Sequence, residues 1–252
     1  MKNLKLAAVC LSCLTMTGCS ALNFSVEGLI NAPKLTSEQS EIHQALIESV
    51  GSNITLKYPK NGEYRSAYVI ANIDDEPTDE AMVFYEYTSN GSEEDGLRVN
   101  ILDKDEDGKW YSVKELAGAG TDIDQVIISP MGSNNQTDVF VGYQNLTNDE
   151  KTMEIYSYTD GDFKRVALDT YSVLEPLDIN NDGYIELITI QRSTNNDTGA
   201  VTAKASMLNM KNNEITRGEN VDMCDNVTSY VSSKTGMLDS GRRAIFIDGL
   251  TA

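Results

Sequence analysis

The hydrophobic pattern divides the chain into one helical segment and a long series of short strands. Apolar residues recur at helical spacing through residues 42–50, and Gly51 follows. Thr36 and Gln39 have the spacing of a capping box just before this segment. From about residue 57, short apolar runs alternate with polar turns, which is typical of antiparallel β-structure. The sequence therefore predicts an all-β protein with one short N-terminal helix.

The strands repeat with a period of about fifty residues. The apolar second strands begin at Glu80, Asp138, Glu186 and Arg243, which are 58, 48 and 57 residues apart. Another short strand precedes each of them, and in the first three units a hairpin follows, with the turns DEDGK, TDGDF and MKNNE. Four antiparallel strands in a unit of this length indicate a β-propeller blade. Separate β-sandwiches are the rival, and so short a unit disfavours them because its core would be small.

The repeat predicts how the chain is organised. Residues 1–18 form a signal peptide, 19–35 a tether, 36–56 the helix and a linker, and 57–252 a partial propeller. The blades cover 57–120, 121–170 and 171–223, and 224–252 contains only the first two strands of a fourth. Such an arc of about three and a half blades keeps an exposed sheet edge. We therefore expect a truncated copy of a longer protein, or an arc that closes on a partner.

The N-terminus has the pattern of an export signal. Lys2 and Lys5 precede an apolar run over residues 6–16, which is too short to span a bilayer. The run ends in MTGC, which resembles the lipobox of bacterial lipoproteins, with Met16 and Thr17 in place of the commoner residues. The resemblance implies that Cys19 is lipidated and anchors the protein to the cell membrane on its extracytoplasmic face. An ordinary cleaved signal peptide is the alternative.

Charge and cysteine content narrow the partners and the chemistry. The chain has 39 acidic and 20 basic residues and a net charge of −19, which disfavours nucleic-acid binding. Cys10 and Cys13 lie within the signal, and Cys19 would carry lipid. Only Cys224 is left, so we expect no intrachain disulfide and a buried, apolar role for this cysteine.

The segment DINNDGYIE, residues 178–186, has the spacing of a calcium-binding loop. Its candidate ligands are Asp178, Asn180, Asp182, the Tyr184 carbonyl and Glu186. Gly183 permits the sharp turn, but position twelve is Thr189 and a strand follows, so the segment is not an EF-hand. It resembles the D-x-D-x-D-G-x-x-D/E loops of FG-GAP repeats in the integrin α-subunit family, where the loop joins the first two strands of a propeller blade. The resemblance implies one structural calcium ion, and an unoccupied acidic turn is the alternative.

The equivalent loops of the other units match this pattern less well. In the first unit the loop positions are taken by Asn72, Asp74, Glu76, Pro77 and Glu80, where Pro77 replaces the glycine, so we expect weak cation binding or none. In the second unit Pro130, Gly132 and Asn134 take positions one, three and five, and in the fourth the positions are taken by Thr235, Met237, Asp239 and Arg243, so we expect no site in either. One competent loop fits a structural ion better than a calcium-dependent function.

A second acidic segment begins like a calcium loop without completing it. Asp103, Asp105, Asp107 and Gly108 have the initial spacing, but Tyr111 stands where a carboxylate is needed. A plain hairpin turn is therefore favoured.

No catalytic motif is found in the sequence. His43 is the sole histidine, and without a nucleophile motif it is expected at a surface or an interface. Zinc sites of ordinary composition are excluded because His and Cys are too few. Paired carboxylates of the glycosidase type stay open because acids are abundant. Trp110 and Tyr111 have the chemistry to stack on a sugar, although core positions are favoured for both.

The sequence therefore predicts a membrane-tethered, extracytoplasmic module that is not an enzyme. It would bind or assemble with an unknown protein or glycan through loops at one end of the blades. The alternative is a surface enzyme that acts on glycans through paired carboxylates. A cleft with two acids, one with a raised pKa, would favour the enzyme, and acids spread over solvated turns would favour the binding module.

Overall fold

The computed structural model describes residues 35–88, 96–131, 136–145, 150–179, 182–194, 197, 201–211, 214–218, 221–222 and 227–251. The chain forms two compact units, Met1–Ser40 and Glu41–Ala252, and every strand lies in the second. The described strands form antiparallel sheets, and one helix accompanies them. The mostly-β architecture predicted from the sequence is therefore confirmed.

The helix, α1, spans Ser37–Val50 and begins with the expected capping box. The Gln39 N–H donates to Thr36 Oγ1 and the Thr36 N–H donates to Gln39 Oε1, both at 3.1 Å. These reciprocal bonds satisfy N–H groups that have no partner inside the helix. Gly51, with φ at 85°, follows the last helical residue.

The first sheet has five strands. They are β1 (Ile54–Leu56), β2 (Tyr68–Ala71), β3 (Glu80–Tyr87), β4 (Leu97–Lys104) and β5 (Trp110–Ala117). β1 and β2 pair with different halves of β3, and β4 and β5 follow on its other side. β1 lies in the segment predicted as a linker, where three residues give too short a pattern to recognise. β1 and β2 together thus occupy the position beside β3 that a single first strand would take.

The second sheet is a four-stranded meander, and the third sheet has the same order with one added strand. The second contains β6 (Asp122–Ser129), β7 (Asp138–Gln144), β8 (Lys151–Thr159) and β9 (Asp162–Tyr171). The third contains β10 (Val173–Leu177), β11 (Glu186–Thr194), β12 (Val201–Lys211), β13 (Glu214–Arg217) and β14 (Val221–Asp222).

The last two strands form a separate hairpin of β15 (Val227–Met237) and β16 (Arg243–Thr251). The order of strands along the chain thus follows the predicted units. The described residues form no closed ring.

The first three sheets pack face to face in chain order. Val83 on one face of the first sheet is buried in a cluster with α1. Phe84 on the opposite face shares a cluster with Val141 of the second sheet. Phe140, next to Val141, belongs to a cluster with Leu187 of the third sheet. β3 and β7 are therefore buried on both faces, which explains why their sequences are almost uninterruptedly apolar.

A buried carboxylate links the chain before β2 to the second sheet. Asp124 is 1% exposed, and its Oδ1 accepts hydrogen bonds from Asn61 Nδ2 and Lys151 Nζ, both at 2.8 Å. Its Oδ2 accepts the Tyr171 hydroxyl at 2.7 Å. A buried charge is tolerated only when it is paired and hydrogen-bonded in this way.

Gly142 in β7 makes room for Tyr171. A Cβ at this position would lie 2.0 Å from the Tyr171 hydroxyl oxygen. Any side chain at residue 142 would therefore displace the phenol that donates to Asp124.

We expect Gly142→Ala to lower the free energy of unfolding by about 2–4 kcal/mol, since it overpacks the core and breaks a buried hydrogen bond. Urea denaturation followed by circular dichroism measures this. The control is Gly96→Ala, whose new methyl group would meet only the flexible end of Arg98, at 3.1 Å. The double variant Gly142→Ala with Tyr171→Phe should recover part of the stability that Gly142→Ala loses. Equal denaturation midpoints for the two single alanine variants would contradict the prediction.

Candidate functional site

A cleft of about 260 Å³ opens between the first and second sheets. The β2–β3 loop, strands β4 and β5 and the β8–β9 turn contribute to its walls. Its charged residues are Asp74, Glu76, Glu80, Asp103, Asp162 and Lys114. Its aromatic residues are Tyr111, Tyr158 and Phe163. Five carboxylates and one ammonium group make a strongly negative cleft, and its protein walls focus that potential.

Glu80 is the most buried acid of the cleft and has one oxygen without a partner. The residue is 3% exposed and begins β3. Its Oε2 accepts the Ile73 N–H at 2.8 Å, which closes the β2–β3 loop. Its Oε1 is buried and accepts no hydrogen bond from any described residue. An oxygen that loses its hydration without compensation costs about 1–3 kcal/mol.

Burial raises the pKa of Glu80 from 4.5 to about 7, and the negative charges of Asp74 and Asp103 add to the effect. The Ile73 N–H opposes it by stabilising the carboxylate. Burial also raises the pKa of Asp74, although the Glu76 N–H donates to Asp74 Oδ1 at 2.7 Å. The negative charges of Asp74 and Asp103 thus make ionisation of Glu80 less favourable.

The hydrogen bond made by Glu80 recurs in the next two sheets. Asp138, at the start of β7, accepts the Met131 N–H at 3.0 Å, and Glu186, at the start of β11, accepts the Ile179 N–H at 2.8 Å. In all three sheets the acid follows its donor by seven residues. The bond is thus common to the three sheets, and we call it the loop-closing bond. The sequence aligns these acids as strand starts but does not reveal the bond.

The residue opposite the loop-closing acid distinguishes the first sheet from the second. Ser157 pairs in register with Asp138 and donates its hydroxyl to Asp138 Oδ1. When the β3–β4 register is continued by one residue, Asp103 stands opposite Glu80. The first sheet thus has a second acid where the second sheet has a hydroxyl donor. This exchange explains why Glu80 Oε1 has no partner.

Asp103 is a functional candidate that the sequence analysis assigned only to a plain hairpin turn. The hairpin prediction for this segment is correct, since Asp105 Oδ1 accepts the N–H groups of Asp107 and Lys109 at 3.0 and 2.9 Å. Asp103 precedes this turn and lines the cleft. Its proximity to Glu80 follows from the pairing of β3 with β4, which no local spacing indicates.

The single lysine of the cleft is already bound. Lys114 Nζ donates to Asp162 Oδ1 at 2.6 Å and to the Phe163 carbonyl at 2.7 Å. The hydrogen bond from Lys114 is the main reason that the pKa of Asp162 is lowered. The pair connects β5 with β9 across the two sheets. Because Lys114 is turned to Asp162, the remaining acids of the cleft determine its charge.

The predicted calcium loop is held by its own hydrogen bonds. Asp178 accepts the N–H groups of Asp182 and Gly183 at 3.2 and 3.1 Å, and Asp182 Oδ1 accepts the Tyr184 N–H at 2.9 Å. Gly183 has φ at 89°, which agrees with the sharp turn expected there.

The donor chemistry of this loop suits a hard cation, but its described carboxylates face backbone donors. Asn180 lies outside the described residues. Among the described residues, in this loop or elsewhere, no group of three or more His, Cys, Asp or Glu side chains could hold one metal ion. Calcium at Asp178, Asp182, Tyr184 and Glu186 therefore stays a prediction.

The other predicted residues have different outcomes. His43 Nδ1 lies 2.8 Å from the Tyr68 hydroxyl, between α1 and the first sheet, which fits the expected interface position. Trp110 is 2% exposed and belongs to the core, as expected. The core assignment is wrong for Tyr111, which is 45% exposed and lines the cleft, because its neighbour Trp110 takes the inward-facing position of the strand.

The N-terminal predictions are untested by the fold. Cys19 and Cys224 lie outside the described residues, so the lipid anchor stays a prediction. The helix that is described is not long and apolar enough to cross a membrane.

We expect Glu80→Gln to change how stability depends on pH. A pKa raised to about 7 means that the folded chain holds this proton more tightly than the unfolded chain. The stability that this gives is present below about pH 4.5 and is lost as the pH rises through 7. The free energy of unfolding of Glu80→Gln, relative to that of the parent, should therefore be about 2 kcal/mol higher at pH 8 than at pH 5.

Denaturation at the two pH values measures this difference. Glu63→Gln, which removes one exposed acid outside the cleft, is the control for net charge. A pH dependence that is the same in the parent and in Glu80→Gln would show that Glu80 titrates as an ordinary glutamate.

Comparison with known proteins found no matching family model, no matching curated protein and no matching solved structure. The function is therefore argued from the cleft itself.

Proposed function

We propose that this chain is a non-catalytic binding module that takes a positively charged ligand in the cleft between its first two sheets. The observation that supports this is the lining of the cleft, where the one lysine is bonded to Asp162 and four further acids have no lysine or arginine beside them in the lining. The export signal and Cys19 would place the module outside the cytoplasm, tethered to the membrane. A ligand with complementary charge would be attracted over a distance and then held by direct hydrogen bonds.

We further propose that the sheets are successive blades of a propeller-like arc. Face-to-face packing of meanders in chain order supports this arrangement. In a meander, the connection between strands one and two and the connection between strands three and four lie at the same end of the sheet. The β2–β3 loop, the β4–β5 and β8–β9 turns and the 178–186 loop then belong to one rim. Such a rim is where binding residues of propellers are placed.

A glycan-cleaving enzyme is the second candidate. Glu80, with its pKa raised to about 7 beside Asp103, resembles the paired acids that such chemistry uses. Against this, Glu80 Oε2 makes the loop-closing bond, which recurs at Asp138 and Glu186. Burial of this acid is thus explained by a structural role that all three sheets share. The geometry therefore favours binding over hydrolysis.

The binding proposal is tested with polylysine as a probe. We expect the double variant Asp74→Asn with Asp103→Asn to bind it about tenfold more weakly than the parent, because two cleft charges are lost. The matched control is Glu41→Gln with Asp239→Asn, two exposed acids outside the cleft. Isothermal titration calorimetry at several salt concentrations separates a local effect from bulk attraction.

Equal losses in the cleft and control variants would refute a binding role for the cleft. Release of a chromophore from aryl glycosides by the parent, and not by Glu80→Gln, would establish the enzyme instead.

We also propose one structural calcium ion at the 178–186 loop. Millimolar calcium should then raise the melting temperature above that in EDTA by several degrees, since a ligand of the folded state stabilises it by mass action. Asp182→Ala should abolish the rise, and Asp239→Ala, in the exposed β15–β16 turn, should preserve it. Identical melting curves in EDTA and calcium would mean that the loop is an acidic turn without an ion.

A further inference from the structure

Glu80, the loop-closing acid of the first sheet, lacks the hydrogen-bond donor that Asp138 has in the second sheet. In the second sheet, Ser157 donates to the second oxygen of the loop-closing Asp138. In the first sheet the facing residue is Asp103, and Glu80 Oε1 has no hydrogen-bond partner among the described residues. Glu80 is 3% exposed and lines the cleft, so the cleft is the side from which a donor can approach this carboxylate. In its ionised form Glu80 therefore lacks a hydrogen-bond donor at this oxygen, and the surrounding acids favour a donor that is cationic.

A single metal ion does not suit these acids. In the part of the chain that the structure describes, no three acidic, histidine or cysteine side chains could hold one ion, and the cleft acids are no exception. The cleft volume of about 260 Å³ also exceeds what one ion needs and accommodates a group of several heavy atoms. An organic cation therefore fits better than a metal ion.

The walls of the cleft distinguish among organic cations. Tyr111, Tyr158 and Phe163 offer aromatic surface above the acids, and an alkyl stem packs favourably on such surface. A guanidinium group donates in a planar fork and is best matched by two oxygens in one plane. An ammonium group is compact, and its three donors can reach acceptors that lie in different directions. Acids that come from β3, β4 and the β2–β3 loop favour the ammonium group.

We propose that the cleft binds a primary alkylammonium group, which donates to Glu80 Oε1 in the negative potential of Asp103 and Asp74 and whose alkyl stem lies along Tyr111 and Tyr158. This inference rests on the proposed binding function and names the chemical group that is bound. A free amine and a lysine side chain of a polypeptide share this chemistry.

The group is identified by titrating the whole protein with n-butylammonium, and with n-butylguanidinium and butanol for comparison. We expect n-butylammonium to bind at millimolar concentration, the guanidinium compound more weakly, and butanol not measurably. Glu80→Gln should weaken n-butylammonium binding about tenfold, because an amide can present its own N–H donors to the ammonium group. Glu63→Gln, outside the cleft, should keep it within about twofold. Asp103→Asn provides a second test if Glu80→Gln fails to fold.

The source of the ammonium group is distinguished by a second arm. Nα-acetyl-lysine methylamide, which presents the side chain on a peptide backbone, should displace n-butylammonium. Tighter binding of the lysine derivative indicates a polypeptide ligand, and tighter binding of n-butylammonium indicates a free amine. Both results support the ammonium site.

Two results would overturn this inference. One is polylysine binding that depends on Asp74 and Asp103 without any binding of n-butylammonium, in which case the proposed function stands and the ammonium pocket does not. The other is displacement of n-butylammonium by micromolar calcium, which would make the cleft a metal site. Polylysine binding that is unchanged when the cleft acids are replaced would instead refute the proposed function itself.

Discussion

The second sheet is stable only because apolar layers cover both of its faces. Val141 lies in the core shared with the first sheet, and the adjacent Phe140 lies in the core shared with the third. A strand of this kind at a surface would leave large apolar side chains in water on one side. The neighbouring sheets are therefore obligatory for each other. The buried carboxylate of Asp124 depends on the same enclosure, since Lys151 and Tyr171 replace the water that it gives up.

This packing also determines where a ligand can bind. The faces of the sheets are occupied by core contacts, so polar residues with space around them are found in the loops and at the ends of the strands. The cleft lies where the β4–β5 strands of the first sheet meet the β8–β9 turn of the second, and Lys114 joins the two through Asp162. Its acidity comes from the β2–β3 loop and from residues at the ends of strands, where no packing requirement selects apolar side chains. The site is thus a product of stacking together with the acids that each strand end contributes.

The sequence is informative where local pattern and structure have the same cause. β3 begins at Glu80 as predicted, and its apolar pattern is recognisable because a strand buried on both faces must be apolar almost throughout. The helix start is likewise encoded by the spacing of Thr36 and Gln39. Asp103 was not recognised as a site residue because its role depends on pairing with a distant strand. The unpartnered oxygen of Glu80 is equally a property of three-dimensional neighbours and leaves no trace in spacing.

The loop-closing bond needs only one of the two oxygens of its acid. The other oxygen meets whatever residue the adjacent strand presents, which is Ser157 for Asp138 and Asp103 for Glu80. The residue at that facing position thus determines the chemistry beside the acid, while the loop-closing bond itself is the same in both sheets. The sheets can therefore differ in the chemistry at this position through a single residue. The second sheet keeps its internal donor, so the exchange leaves an unpaired oxygen in the first sheet without altering the loop closure of the second.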